Sequence, residues 1–188
     1  MSGLSCKSLT HLPSIMIQIS YKLTEQEIHQ SLLEISNSRL ITKVLRIVGS
    51  VLLAAMVYIT TISLIDGSFH FSLAYAFPVF VAVYLTFVSE ITAKFQTPNL
   101  LKKKNPFTEE AKVKIYETGF RVKGDTFSKQ LTWDKLNMIL ETKDFFILKE
   151  TEIMASVLPK RVFTLEEATE FKSIISTVTG PKIIMATK

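Results

Sequence analysis

The side chains that most often carry chemistry are few and scattered in this sequence of 188 residues. His11, His29 and His70 lie far apart, and Cys6 is the single cysteine. One chain is therefore expected to form neither a disulfide, nor a cysteine-rich metal site, nor a histidine-based catalytic triad. The six glycines are dispersed and do not form a phosphate-binding loop. The sequence predicts a non-enzymatic protein with no metal and no other cofactor.

Two acidic pairs are the remaining candidates for acid–base chemistry, Glu109–Glu110 and Glu166–Glu167. Both stand at expected helix or loop starts, where carboxylates complement the helix dipole, and neither has an obvious partner for proton transfer. An enzyme with its site inside the C-terminal part stays an alternative, because residues far apart in sequence can converge in space.

The residue types that suit binding are one tryptophan and two short basic stretches. Trp133 is expected to pack at a strand end or an interior corner, and contact with a partner is the alternative. Lys160 and Arg161 are expected in a solvated turn. Binding of lipid headgroups or an acidic peptide is the alternative, because arginine presents a bidentate fork to phosphate.

The second basic stretch consists of Lys102, Lys103 and Lys104. Close to a bilayer, each lysine would contribute about 1 kcal/mol of attraction to anionic lipid, but three lysines are fewer than the clusters that mark specific headgroup recognition. A nucleic-acid interface is not predicted, since the net charge of +5 is interspersed along the chain and the lysines lack interleaved aromatic residues.

Two uncharged runs indicate a membrane protein, in keeping with 47% hydrophobic residues and a mean hydropathy of +0.28. Ile47–Ile65 has 19 residues, which as a helix matches a hydrocarbon core of about 30 Å. Phe69–Ser89 has 21 residues and contains Pro78, which a membrane helix tolerates, often with a kink. Because both runs are apolar on all faces, we expect a membrane hairpin, with the buried core of a soluble helical protein as the alternative.

The charges that flank the two runs predict the orientation of the hairpin. The bases Arg39, Lys43 and Arg46 precede the first run, Lys94 and the lysine stretch follow the second, and the connection carries only an acid. By the positive-inside rule, both termini are expected in the cytoplasm. A channel or transporter built from several copies is a rival function, although both runs lack acids and bases. Its pore would be lined by hydroxyls at Thr60, Thr61, Ser63, Ser72 and Thr86.

The segments outside the hairpin predict a strand, two helices and a β-rich domain. Residues 1–13 are expected to be disordered, 14–43 to form a strand and an amphipathic helix, 44–89 the hairpin, 90–111 a linker, 112–180 a cytosolic domain and 181–188 a tail. Ile17, Ile19 and Tyr21 alternate with polar residues as in a half-buried strand, and Thr24 with Glu27 predicts a helix capping box.

The β-rich domain is predicted from six short runs separated by turn residues, followed by one amphipathic helix. These runs are 113–117, 119–123, 126–133, 137–142, 144–150 and 153–158. Such spacing predicts an antiparallel meander, closed or strongly bent, and Thr164 with Glu167 caps the helix that closes it. The expected fold class is a membrane α-helical hairpin plus an α+β domain, an antiparallel barrel or sandwich of about 6–7 strands capped by a C-terminal helix.

Short motifs within this layout resemble the YcxB-like family of bacterial membrane proteins. They are SYKLT before the first run, LTWDKL at 131–136, ETKDFFILK at 141–149 and LPKRVF at 158–163. The resemblance implies a two-span anchor in the bacterial inner membrane with a cytosolic pleckstrin-homology-like domain, which the strand before the membrane can complete. The resemblance implies no reaction and no catalytic residue. We therefore expect the protein to contact the bilayer and a protein partner, and a homo-oligomer is an open alternative.

Overall fold

The computed structural model describes residues 15–70, 72–102 and 108–185 of the chain. The tail expected at residues 1–13, together with Lys103 and Lys104, lies outside the described residues. The helices are α1 Glu25–Asn37, α2 Leu40–Ile65, α3 Leu73–Thr86, α4 Val88–Lys102 and α5 Leu165–Thr177. The strands are β1 Ile15–Tyr21, β2 Ala111–Tyr116, β3 Gly119–Lys123, β4 Ser128–Thr132, β5 Met138–Glu141, β6 Phe145–Lys149, β7 Ala155–Pro159 and β8 Lys182–Ile184.

The strand that precedes the apolar helices belongs to the same sheet as the strands that follow them. β1 pairs antiparallel with β2, with Ile17 opposite Ile115 and Tyr21 opposite Ala111. The order of this first sheet is β1-β2-β3-β4. Ile17, Ile19 and Tyr21 are buried while Gln18 and Ser20 are exposed, as their alternation predicts. The first strand therefore completes the domain.

The second sheet has the order β7-β6-β5-β8, and here the sequence-based expectation was partly wrong. Within the described residues the strands form two separate four-stranded sheets, and they do not close into a barrel. The chain changes sheet at a short 3-10 turn, Trp133–Lys135, because Trp133 and Leu136 are drawn into the core there. β8, in the segment expected to be an unassigned tail, pairs parallel with β5 after the chain has passed through α5.

The core lies between the two sheets and α5, and β6 is its most buried element. All five residues of β6 are buried. Phe146 packs in the main core with Phe171 of α5, whereas Phe145 and Ile147 pack with Ile35 of α1. α1 is therefore part of the domain, and its predicted capping box at Thr24 and Glu27 is confirmed, as is the one that begins α5.

α2 is long and apolar enough to cross a membrane, with a mean hydropathy of 2.1 in its best 18-residue window, of which 6% is buried. In the described residues it is the single continuous helix of this kind. The second predicted run is divided: α3 continues through Pro78, and the chain then bends by 70° between α3 and α4. Together the bent pair passes the same test of length and composition. The sharp change of direction thus lies at Phe87, not at the proline.

The far end of α3 returns to the beginning of the apolar part of α2. A Cβ at Gly49 would lie 2.6 Å from the backbone nitrogen of Thr86, so only glycine permits this contact. After the bend, α4 packs against α1, where the Ser36 hydroxyl donates to the Ser89 hydroxyl at 3.4 Å and His29 Nδ1 lies 3.2 Å from Thr97 Oγ1. The region expected to be a linker therefore contains a helix packed on the domain.

Candidate functional site

Arg161 joins the C-terminal part of the domain to the N-terminal helix and is not a free phosphate-binding group. Its guanidinium forms an ion pair with Glu27, and its Nη2 lies 2.9 Å from Glu27 Oε2 and 3.0 Å from the carbonyl oxygen of Lys22. Glu27 also accepts a hydrogen bond from the Thr24 backbone nitrogen at 2.8 Å. The same carboxylate therefore caps α1 and holds Arg161, so both the binding and the solvated-turn interpretations miss its partner.

Lys160 has a carboxylate partner of its own inside the domain. Its Nζ lies 2.7 Å from Oε1 of Glu141, and Lys172 Nζ of α5 approaches the same oxygen at 2.6 Å. Lys160 Nζ also lies 5.1 Å from the centre of the Phe146 ring. Burial by itself would raise the pKa of Glu141, but the hydrogen bonds from Lys160 and Lys172 outweigh it and the pKa is lowered. Glu141 therefore pairs with both lysines, and the cluster keeps a formal charge of +1.

Trp133 is a core residue, with 4% of its surface exposed. The indole Nε1 donates to the carbonyl oxygen of Glu117 at 2.9 Å, and the ring lies 5.4 Å from that of Phe120 and 6.3 Å from that of Phe171. This is the interior packing that the sequence favours for a lone tryptophan, and it leaves little surface for a partner. Of the lysine stretch, only the backbone of Lys102 is described, so its contacts stay a prediction.

A cleft of about 320 Å³ opens between the first sheet and β7, and its lining is largely apolar. Tyr21 and Val157 form part of its wall, where the tyrosine hydroxyl donates to the Val157 carbonyl oxygen at 2.5 Å. Burial raises the pKa of Tyr21. At the rim stand Ile153 and Met154, which are 71% and 57% exposed. Sequence reasoning missed these two because it placed them inside a strand; an apolar pair beside the polar Thr151 and Glu152 is the signal that it overlooked.

The charged groups that line this cleft have ion-pair or hydrogen-bond partners within the chain. Lys129 forms an ion pair with Glu150, and Glu109 accepts from the backbone nitrogen of Thr126 at 2.9 Å and from its hydroxyl at 2.5 Å. The Thr126 hydrogen bonds lower the pKa of Glu109. A group that enters the cleft therefore meets an apolar surface with paired charges at its edge.

A cluster of potential metal ligands is not evident in the part of the chain that the structure describes. Its His, Cys, Asp and Glu residues do not gather in groups of three or more that would hold a metal ion. Among the predicted pore-lining hydroxyls, those of Thr60, Thr61 and Thr86 donate to carbonyl oxygens four residues earlier in their own helices, at 2.6, 2.8 and 2.8 Å. Each of these three hydroxyls thus has an acceptor within its own helix.

The ion pair between Glu27 and Arg161 makes stability depend on pH. The hydrogen bond from Arg161 lowers the pKa of Glu27 from its usual value of 4.5 to about 2. A lowered pKa in the folded state stabilises the fold above the unfolded value, and this contribution disappears as the pH falls from about 4.5 to about 2. Because Arg161 is half-exposed and solvent screens the pair, we expect a contribution of about 1 kcal/mol.

We therefore expect Glu27→Gln to lower the free energy of unfolding by about 1 kcal/mol at neutral pH and by almost nothing near pH 2. Denaturant unfolding of the full chain in detergent at several pH values measures this difference. Glu25→Gln, an exposed acid in the same helical turn, is the matched control and should show a smaller change. A loss for Glu27→Gln that is equal at both pH values would contradict the assignment.

The fold and the site define the class of protein. It is a mixed α+β domain with an apolar cleft, and helices that include a candidate membrane span are inserted between its first two strands. Within this class, residues 115–175 match the family model described as YcxB-like protein. The match runs from β2 to α5, covers 61 of the 188 residues, and confirms the resemblance predicted from the motifs over that segment. No curated protein and no solved structure matches the sequence.

Proposed function

We propose that this protein is a non-enzymatic membrane protein that holds its YcxB-like domain at the cytoplasmic face of the bacterial inner membrane, where the domain docks a protein partner. In this proposal the domain, which the resemblance likens to pleckstrin-homology-like domains, is anchored by a two-span hairpin of α2 and α3. The apolar cleft between the first sheet and β7 is the docking surface.

The pairing of β1 with β2 is the main observation that supports the proposed membrane anchor. β1 precedes α2 and β2 follows α4, yet the two strands are hydrogen-bonded from Ile15 to Tyr21. If α2 crosses a membrane, the chain has to return before Ala111, because both strands lie on one side. With α2 as one crossing, the pairing of β1 with β2 supports an even number of crossings.

The position of α3 supports this return. Its last residue lies beside Gly49, two residues into the uncharged run of α2 that begins at Ile47. α3 therefore ends at the depth where the apolar part of α2 starts. The bend at Phe87 then directs α4 to α1, outside the apolar layer. The exposed apolar side chains of α2 and α3 would be covered by lipid.

The chemistry of the cleft indicates its occupant. The lining is apolar, the flanking charges are paired within the chain, and Ile153 and Met154 extend the apolar surface beyond the rim. An apolar segment of a protein partner fits these features, since it needs no charge of its own and would bury the two exposed side chains.

Labelling of cysteines in intact cells tests the anchor. In a Cys6→Ser background, we expect Ser68→Cys, between α2 and α3, to react with a membrane-impermeant maleimide applied from outside. Ser176→Cys, an exposed position of α5, should react only after the membrane is opened. Reaction at both positions, or at neither, in intact cells would contradict a hairpin with a cytoplasmic domain.

Site-specific photo-crosslinking tests the cleft. A photoreactive residue at Ile153 should give a discrete adduct, and the partner identified in it, once purified, should bind the full chain in detergent. We expect Ile153→Glu to weaken that binding at least tenfold and Leu165→Glu, at an 87% exposed leucine of α5, to leave it unchanged. Equal binding by both variants would exclude the cleft as the docking surface, and an adduct with lipid alone would exclude a protein occupant.

A further inference from the structure

A second cavity, of about 390 Å³, lies where α2 leaves the domain. The end of α1, the first turn of α2 and strands β5 and β8 form its walls. Lys43 of α2 and Lys182 of β8 both line it, although 138 residues separate them in sequence. Both side chains are exposed, and neither forms an ion pair with another described residue. Two basic groups thus converge from distant elements without an acidic partner.

A third lysine lies directly behind the cavity wall. Lys149 is 1% exposed, and its Nζ donates to Ser38 Oγ at 3.0 Å and lies 3.6 Å from Glu152 Oε2. Ser38 and Glu152 themselves line the cavity. The charge of Lys149 offsets that of Glu152, which would otherwise repel an anion.

Glu34 is the second carboxylate that faces the cavity. Its pKa is raised, first by burial and then by the charge of Asp144. The cavity and the wall behind it hold three lysines and two carboxylates, a formal balance of +1. This balance favours an anion.

The cavity also lies at a defined depth relative to the apolar helix. Lys43 precedes Ile47, where the uncharged run begins, by four residues, or about 6 Å along the helix. Leu40, at the mouth of the cavity, is 75% exposed.

We propose that this cavity binds the phosphate of an anionic phospholipid from the leaflet on the domain's side. Lys43 and Lys182 donate to the phosphate oxygens, Lys149 offsets the charge of Glu152 at the cavity wall, and the acyl chains lie along the exposed apolar surface of α2. This inference rests on the proposed membrane anchor, because a phosphate at this depth belongs to a lipid headgroup.

Lipid titration of the full chain in detergent, followed by native mass spectrometry, tests the site. The probes are phosphatidylglycerol and phosphatidylcholine with identical acyl chains. We expect the double variant Lys43→Gln, Lys182→Gln to bind phosphatidylglycerol roughly 10- to 30-fold more weakly and phosphatidylcholine with unchanged affinity. The control Lys94→Gln, Lys123→Gln removes the same charge from exposed lysines elsewhere and should keep most of the affinity.

Three results would overturn the proposal. An equal loss in both double variants would indicate a general charge effect, and equal affinity of the unchanged protein for the two lipids would exclude selection of an anion. Binding of glycerol phosphate as tight as that of phosphatidylglycerol would assign the site to a soluble phosphate. Labelling at Ser68→Cys tests the membrane anchor separately from these three results. The proposed anchor can therefore be correct even if the lipid-binding proposal is wrong.

Discussion

A fragment that runs from Glu90 to Lys188 is expected to remain unfolded, although it contains seven of the eight strands and α5. The fragment lacks five side chains of the main core cluster, those of Ile17, Ile19, Tyr21, Leu23 and Ile28. Burial of one such side chain contributes about 1.5–3 kcal/mol, so their combined loss, about 8–15 kcal/mol, equals the whole stability of a typical domain. β2 would also lose its partner strand.

Circular dichroism and the fluorescence of Trp133, the sole tryptophan, measure this outcome. Adding residues 14–37 as a separate peptide should restore folding, because that peptide supplies β1 and α1. The same peptide with Ile19→Asp is the matched control and should not restore it, since Ile19 is 4% exposed. Cooperative unfolding of the fragment by itself would show that β1 is dispensable.

Replacement of Phe171 by alanine is expected to lower the free energy of unfolding by about 3–5 kcal/mol. Phe171 is fully buried, and its ring centre lies 4.9 Å from that of Phe146, 5.7 Å from that of Phe163 and 6.3 Å from that of Trp133. It is therefore the residue through which α5 joins the second sheet to the Trp133 turn. The cavity left by alanine would remove contacts with all three rings at once.

Denaturant unfolding of the full chain in detergent, followed by Trp133 fluorescence, measures this change. The apolar helices contain no tryptophan, so the signal reports on the domain. Phe95→Ala is the matched control, because Phe95 is 72% exposed on α4 and its loss should cost less than about 0.5 kcal/mol. A cost below about 1 kcal/mol for Phe171→Ala would mean that α5 does not close the core.

Local patterns were sufficient to predict most of the individual elements. Alternation identified β1, the two Thr–Glu pairs identified the starts of α1 and α5, and the absence of charge identified α2 as a candidate span. β3 has the predicted bounds, residues 119–123. These features depend on neighbours within a few residues, so the sequence displays them directly.

The ion-pair partners of the candidate binding residues could not be predicted, because these partners are distant in sequence. For Arg161 the sequence favoured a solvated turn, with phosphate binding as the alternative, but its partner Glu27 stands 134 residues earlier. Lys160, directly after β7, pairs with Glu141, the last residue of β5 and 19 residues earlier. An unpaired base and a paired base look alike in a sequence, and only the fold brings the carboxylates to them.

The sequence by itself determined the apolar helix, seven of the eight strands, the capped helices and the resemblance of the C-terminal part to the YcxB-like family, which the match at residues 115–175 confirms. Only the tertiary structure decided that β1 and β2 are neighbours, that the strands form two sheets instead of a barrel, and that Lys43 and Lys182 share one cavity. The physical reason is the separation in sequence between the residues that interact. Hydrophobic periodicity and helix capping depend on residues a few positions apart, whereas the pairing of β1 with β2 and the meeting of Lys43 with Lys182 depend on contacts between residues about a hundred or more positions apart.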